Sequence, residues 1–178
     1  MSDVIATVWD FDKTLISNYM QAPLFEEYGV DEHEFWNENN KRNEDLSKQG
    51  LSVNRETFYL NQILNYVRSG KFKGLNNEKL KGYGKQQNFY NGVVQLFKEI
   101  SEFGNRPEFK DQGIVFENYI VSSGLKKIIE GTVLVENKYV KNVWGCEFAE
   151  TKKQTAQPKF LTLHTALTTP ARPERSLR

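Results

Sequence analysis

The feature that most constrains the fold is a short apolar run near the N-terminus that stops at an aspartate. The residues from Val4 to Trp9 are mostly apolar and rich in β-branched side chains, and Asp10 follows them directly. This pattern is typical of a strand buried on both faces of a parallel sheet. Because open α/β sheets bind ligands at the carboxyl ends of their strands, Asp10 is expected at a functional edge.

Composition fits a folded domain and excludes several other classes of protein. The 178 residues suit one domain with a modest insertion, and a hydrophobic content of 38% is enough to build a core. A net charge of +1 favours neither nucleic acid nor a membrane surface as a partner. The single cysteine, Cys146, excludes a disulfide framework, and neither a signal peptide nor a membrane-spanning run is visible. We therefore expect a cytoplasmic protein.

A helical segment is predicted between the first strand and the next α/β unit. Asp31 begins a capping-box pattern and Asn54 can cap a second helix, and apolar residues recur after both at helical spacing. The block is too long for a simple crossover connection. It predicts an inserted α-helical cap over 16–89, with the α/β core formed by 1–15 and 90–150.

The sequence from 90 to 150 alternates between helix and strand patterns. Such an order is typical of an α/β domain with a parallel sheet. The strand signal Tyr119–Val121 ends at Ser122-Ser123-Gly124, which predicts a turn at the same sheet edge as Asp10. The predicted elements are a helix over 93–103, a strand over 119–121, a helix over 125–130, and strands over 133–135 and 139–148.

The last 28 residues differ sharply in composition from the rest. The first 150 residues contain 18 basic and 22 acidic residues, whereas residues 151–178 contain six basic residues and one acidic residue. This segment also contains three of the five prolines and no glycine. It predicts either a disordered basic tail or sequence foreign to the domain before it. Its cations are not interleaved with aromatic residues, so we expect no nucleic-acid partner.

Asp10 and Asp12 form a candidate metal site. In an extended strand end, residues two apart point the same way, so the two carboxylates would repel each other unless a cation or a proton lay between them. Mg²⁺ suits such a position, since it is commonly held by one or two carboxylates, water and substrate phosphate. The pair alone is also compatible with a solvated acidic turn.

The heptad WDFDKTL over residues 9–15 resembles the first motif of the haloacid dehalogenase-like (HAD) phosphatase superfamily. That motif is an apolar strand followed by Asp-x-Asp-x-Thr-Leu or Val. The segment YIVSSG over 119–124 resembles the second motif, in which an apolar strand ends in Ser or Thr. The resemblance covers about residues 4–149. It implies a Rossmann-like HAD core, with a helical cap in the slot after the first motif.

The resemblance also implies roles for individual residues. Asp10 would attack phosphorus and form an aspartyl-phosphate, and Asp12 would act as general acid and base. Mg²⁺ would be the cofactor, bound by the carboxylate of Asp10 and the backbone carbonyl of Asp12, and the substrate would be a small phosphomonoester. Ser122 also suits a helix N-cap, a role compatible with phosphate binding. The implied phosphate-binding residues are Thr14, Ser122, Ser123 and Gly124.

Two elements of the superfamily pattern are missing. One is a lysine downstream of the second motif, for which Lys152, Lys153 and Lys159 are candidates only by position. The other is an acidic Gly-Asp-x-x-x-Asp motif, but beyond Glu150 the only acid is Glu174. Weaker Mg²⁺ binding is therefore expected. The alternative interpretation is a truncated or catalytically impaired HAD-like protein, with a binding role or no activity.

Two further interpretations remain open. Asp12-Lys13-Thr14 also occurs as a run in P-type ATPases, although Asp10 would then have no role and no membrane span is visible. The aromatic residues of the predicted cap are expected to pack in its core, although some of them are also candidates for contact with the substrate. These residues are Trp36, Phe58, Tyr59 and Tyr66.

Overall fold

The computed structural model of the protein describes residues 3–151 and 159–164. These residues form four strands and eight helices, and one or more helices separate the first strand from the second and the second from the third. In chain order they are β1 (Asp3–Trp9), α1 (Ala22–Tyr28), α2 (Glu32–Lys48), α3 (Arg55–Ser69), α4 (Asn77–Gly84), α5 (Val93–Gly104), α6 (Pro107–Lys110), β2 (Ile114–Leu125), α7 (Lys126–Glu130), α8 (Val133–Glu136), β3 (Asn142–Thr151) and β4 (Lys159–His164).

The described strands form one sheet in the order β1-β2-β3-β4. The first three strands are parallel, with Trp9 paired to Ile120 and Tyr119 paired to Asn142, whereas β4 runs antiparallel to β3. Parallel neighbours require crossover connections, which the helices between the strands provide. The predicted α/β class with a parallel sheet is confirmed.

Helices α1 to α4 occupy the long segment between β1 and α5. The side chain of Asp31 accepts a hydrogen bond from the Glu34 amide (2.8 Å) at the start of α2, and Asn54 caps α3 in the same way. Aromatic rings fill the interior of this block, with Phe25 and Phe35 centred 4.6 Å apart. These helices agree with the predicted helical insert, and the division into cap and core stays a prediction.

Two glycines allow α4 to pack closely against α7. A methyl group at Gly84 would lie 2.3 Å from the carbonyl oxygen of Ile128, and one at Gly131 would lie 1.8 Å from the carbonyl oxygen of Lys81. No side chain fits at either position without moving the backbone. The absence of a Cβ therefore sets how closely the helical block approaches the sheet layer.

β1 is less buried than its sequence predicts. Val4, Ile5 and Val8 are 53%, 47% and 65% exposed, so the prediction of a strand buried on both faces is wrong. Within the described residues, β1 lies at the edge of the sheet and pairs only with β2. A continuous apolar run becomes buried only where neighbouring elements cover both faces, and these contacts are set by tertiary structure, not by the strand.

Three local predictions are also corrected. Residues 133–135 form helix α8 instead of a strand, because Val135 and Glu136 donate backbone hydrogen bonds to the Thr132 carbonyl and close a helical turn. A short apolar run is ambiguous between the two structures. The strand predicted from 139 begins at Asn142. The turn predicted at 122–124 lies within β2, where the pairing with β3 shifts register after Val121.

The predicted basic tail is described only in part. Thr151 ends β3, and residues Lys159–His164 form β4. The rest of the predicted tail, which includes the candidate residues Lys152 and Lys153, lies outside the described residues.

Close packing at Gly84 predicts a position-specific effect on stability. We expect Gly84→Ala to lower the free energy of unfolding by about 1–3 kcal/mol, because the new methyl group overlaps backbone atoms of α7. The matched control is Gly82→Ala, on the same helix, where a methyl group meets no atom within 4 Å. This control should gain up to about 1 kcal/mol from helix propensity. Urea unfolding measures both, and equal effects would contradict the packing.

Candidate active site

The chain turns sharply after β1, and this turn presents the two aspartates. The carbonyl of Phe11 accepts backbone hydrogen bonds from Thr14, Leu15 and Ile16, at 2.9–3.3 Å. The Phe11 side chain is fully buried and anchors the turn in the core. Because side chains alternate along an extended segment, burial of Phe11 directs its neighbours Asp10 and Asp12 away from the core.

The Asp10 carboxylate is oriented by one hydrogen bond. Its Oδ2 accepts from the hydroxyl of Thr14 at 2.7 Å, and both side chains are exposed. Thr14 is predicted to bind phosphate, and through this hydrogen bond it contacts the Asp10 carboxylate, which is predicted to attack the phosphorus atom. The bond limits rotation of the carboxylate, which favours one direction of approach to a bound group.

Asp12 lies in a more enclosed environment than Asp10. The pKa of Asp12 is raised from 3.8 to about 6. Burial is the main cause and the negative charge of Asp10 adds to it, whereas a hydrogen bond from the Met20 amide (2.9 Å) and the Lys13 cation partly oppose the shift. A carboxyl with a pKa near 6 can both give and take a proton near neutral pH. Asp12 therefore has the property required of a general acid and base.

Asp10 and Asp12 open into a cleft of about 550 Å³, which we call the aspartate cleft. Residues of α2 and α3 line it together with the turn after β1, and Ser123 from β2 also lines it. The carboxyl edge of the sheet and the helical block thus meet at one cavity. Its lining residues are Asp10, Asp12, Lys13, Tyr19, Gln21, Trp36, Asn40, Arg55, Glu56, Tyr59 and Ser123.

The end of β2 supplies the remaining predicted residues. The Ser122 hydroxyl accepts a hydrogen bond from the Gly124 amide at 2.9 Å, and Leu125, not Ser122, is the N-cap of α7. A methyl group at Gly124 would lie 2.3 Å from Cε of Met20, so a larger residue here would displace the end of the Met20 side chain. Of the three residues 122–124, only Ser123 lines the aspartate cleft.

Known proteins resemble this chain in both sequence and fold. No family model matches the sequence. An uncharacterized protein of Borreliella burgdorferi is 40% identical over 149 residues, which are 83% of this chain and 51% of the relative. The chain therefore spans about half the length of the curated relative that it matches.

Two solved structures share its architecture. A HAD family hydrolase from Salmonella enterica serovar Typhi superposes with a TM-score of 0.54 and 13% identity, over 93% of this chain and 46% of that one. A phosphoserine phosphatase, solved as a phospho-aspartyl intermediate analogue, gives 0.50 and 18%, over 91% and 63%. The chain has the HAD-like fold. Within its described residues, no helix is long and apolar enough to cross a membrane.

The HAD-like core presents a small set of candidate metal ligands. Among the described residues, no group of three or more His, Cys, Asp or Glu side chains is arranged to hold a metal ion. Mg²⁺ commonly binds through only one or two carboxylates, together with water and substrate phosphate. Asp10 and Asp12 meet this smaller requirement. Burial is the main cause of the raised pKa of Asp12, and a cation here would relieve the repulsion from Asp10 that adds to it.

Lysines next to the site are engaged in different ways. Lys126 and Lys127, just after β2, both pair with Glu130 and Glu147 at 2.8–3.7 Å, and none of these four residues lines the aspartate cleft. Lys13 does line it, and its Nζ donates to the Ser17 carbonyl at 2.9 Å. Lys13 is therefore the lysine that the described structure places in the cleft.

Sequence reasoning missed most of the helical wall of the cleft. Trp36 and Tyr59 line the cleft, whereas Tyr66 points its hydroxyl to Glu38 (2.7 Å) inside the helical block. The unpredicted lining residues Asn40 and Arg55 lie four positions from Trp36 and Tyr59 on their helices. Residues at this spacing share a helix face, so a search for polar partners of the aromatic residues would have found both.

The raised pKa of Asp12 predicts a pH-dependent stability of the metal-free protein. The pKa of Asp12 is about 6 in the folded chain and 3.8 as the reference value, so the protonated carboxyl stabilises the fold fully below about pH 4, and this stabilisation is lost as the pH rises through about 6. The asparagine side chain of the Asp12→Asn variant does not titrate. Between about pH 4 and about pH 8, we therefore expect the free energy of unfolding of the unmodified chain to fall by about 2 kcal/mol relative to that of Asp12→Asn.

Urea unfolding in the presence of a chelator measures this difference. Asp111→Asn, the same substitution at an exposed residue after α6, controls for the loss of a negative charge. An unmodified chain that gains stability relative to Asp12→Asn between about pH 4 and about pH 8 would contradict the burial of this carboxyl.

Proposed function

We propose that the chain is a Mg²⁺-dependent phosphohydrolase that acts on a small phosphomonoester through an aspartyl-phosphate intermediate. One observation carries the proposal. An exposed carboxylate, Asp10, and a carboxyl with a pKa raised to about 6, Asp12, open into one cleft at the carboxyl edge of the sheet. Two carboxyl groups in contrasting environments suit the roles of nucleophile and general acid.

In the first step, a carboxylate oxygen of Asp10 attacks phosphorus, and the bond from phosphorus to the ester oxygen breaks. The protonated carboxyl of Asp12 donates its proton to that oxygen, so the alcohol leaves neutral. Thr14 holds Asp10 by its 2.7 Å hydrogen bond, which favours attack in line with the leaving group.

In the second step, the Asp12 carboxylate takes a proton from water, and the water oxygen attacks phosphorus. The bond from phosphorus to Asp10 breaks, inorganic phosphate leaves, and both residues return to their starting states. A pKa of about 6 supports this double use of Asp12, because neither protonation state is costly near neutral pH.

The residues around the aspartates would hold the metal and the phosphoryl group. The Asp10 carboxylate and the Asp12 backbone carbonyl would bind Mg²⁺, which when bound neutralises charge on the phosphoryl group. Ser123, which lines the cleft, would contact the phosphoryl oxygens, and the hydrogen bond between Ser122 and Gly124 would hold the backbone on either side of it. The helices over 16–89 would act as a cap, a role supported by their contribution to the cleft wall.

A second candidate function is phosphate-ester binding with little or no turnover. The exposed apolar side chains of β1 favour it, since they indicate an incompletely covered sheet in the described structure. The small number of acidic residues near Asp10 and Asp12 also favours it, because weaker Mg²⁺ binding reduces stabilisation of the transferring charge.

Turnover of p-nitrophenyl phosphate separates the two candidates. With Mg²⁺ present, we expect the unmodified chain to hydrolyse the ester and Asp10→Asn to lose activity by about a thousandfold or more, since an amide is not a nucleophile. Chelation of Mg²⁺ should cause a similar loss, and Asp111→Asn serves as the matched control. Equal background rates for all variants would reject hydrolysis and leave the binding function.

A further inference from the structure

A second, smaller cavity adjoins the aspartate cleft. This side crevice has a volume of about 300 Å³ and shares Asn40 and Arg55 with the larger cleft. Every residue that lines it is polar. These residues are Asn39, Asn40, Asn43, Glu44 and Arg55.

Buried amides in these two cavities have unsatisfied hydrogen-bonding capacity. Asn39, in the side crevice, is 4% exposed, and its Oδ1 has no hydrogen-bond partner within the described structure. Gln21, in the aspartate cleft, is 1% exposed, and its Oε1 is likewise unpaired. An unpaired buried polar group costs about 1–3 kcal/mol, so a ligand that donates hydrogen bonds here would bind favourably.

Arg55 has the opposite requirement. It is exposed at the start of α3, and the described structure gives it no ion pair and no hydrogen bond. Its guanidinium offers five N–H donors and no acceptor. A ligand that extends across the two cavities must therefore accept hydrogen bonds near Arg55 and donate them to the amides of Asn39 and Gln21.

Hydroxyl groups meet both requirements. A hydroxyl donates and accepts, whereas a carboxylate only accepts and an ammonium group only donates. An amide can also rotate to exchange its oxygen and nitrogen, and a hydroxyl remains a partner in either orientation. The rings of Trp36 and Tyr59, centred 5.4 Å apart, add apolar surface in the aspartate cleft for the carbon skeleton of such a ligand.

We propose that the leaving group of the substrate is polyhydroxylated, as in a polyol or sugar phosphate, and that Asn39, Asn40 and Arg55 bind its hydroxyls in the side crevice. This inference rests on the proposed phosphohydrolase function, which places the phosphoryl group at Asp10. The volumes of the two cavities, about 550 and 300 Å³, leave room for a small sugar beyond the phosphate.

Binding is measured in Asp10→Asn with Mg²⁺, so that turnover does not consume the probes. Glycerol phosphate and propyl phosphate have the same carbon chain and differ by two hydroxyl groups. We expect calorimetry to show glycerol phosphate binding at least about tenfold more tightly, the effect of one or two good hydrogen bonds. O-Phosphoserine, with an ammonium and a carboxylate group, should bind more weakly than glycerol phosphate.

Variants in the same background locate the effect. Arg55→Gln and Asn40→Leu, both at exposed positions where folding is not at risk, should each reduce the preference for glycerol phosphate over propyl phosphate severalfold. Arg68→Gln is the matched control, because it makes the same change near the other end of α3. It should leave the preference unchanged.

The outcomes separate this inference from the function on which it rests. Equal affinity for glycerol phosphate and propyl phosphate, tighter binding of O-phosphoserine, or no binding of any ester would overturn the polyhydroxylated leaving group. Turnover of p-nitrophenyl phosphate by the unmodified chain tests the phosphohydrolase function independently. A hydroxyl preference without turnover would support the ligand class and reject hydrolysis.

Discussion

Burial of one side chain, Phe11, controls the geometry of the candidate site. Its ring lies fully inside the core, and its carbonyl closes the turn that follows β1. Asp10 and Asp12 flank it, so both carboxylates are held at the carboxyl edge of the sheet, where they open into one cleft. The contrast between the exposed Asp10 and the more enclosed Asp12 follows from this placement, and it underlies the division of roles that we propose.

The sheet that supports this turn is incompletely covered in the described structure. An apolar groove of about 540 Å³ lies beside β1, lined by residues that include Ile5, Leu96, Phe103 and Phe116. Exposed apolar surface next to a free strand edge usually marks a contact with another element. The curated relative is about twice as long as the matched region, and the Salmonella hydrolase is also about twice as long.

Much of the fold, but less of the site, could be predicted from the sequence. The apolar run before Asp10 predicted β1, and Asp31 and Asn54 predicted the starts of α2 and α3, because these signals are local. The exposure of Val8, and the presence of Arg55 in the cleft, depend on contacts between distant segments. Periodicity indicates which residues share a helix face, but not what that face meets.

The proposed mechanism requires that Asp10 carries the phosphoryl group during turnover. The most direct measurement is mass spectrometry of peptides from protein quenched in acid shortly after mixing with Mg²⁺ and a phosphomonoester. We expect the added mass of one phosphoryl group on the peptide that contains Asp10, and no added mass in Asp10→Asn. Turnover without this modification, or a phosphoryl group on another residue, would contradict the proposed mechanism.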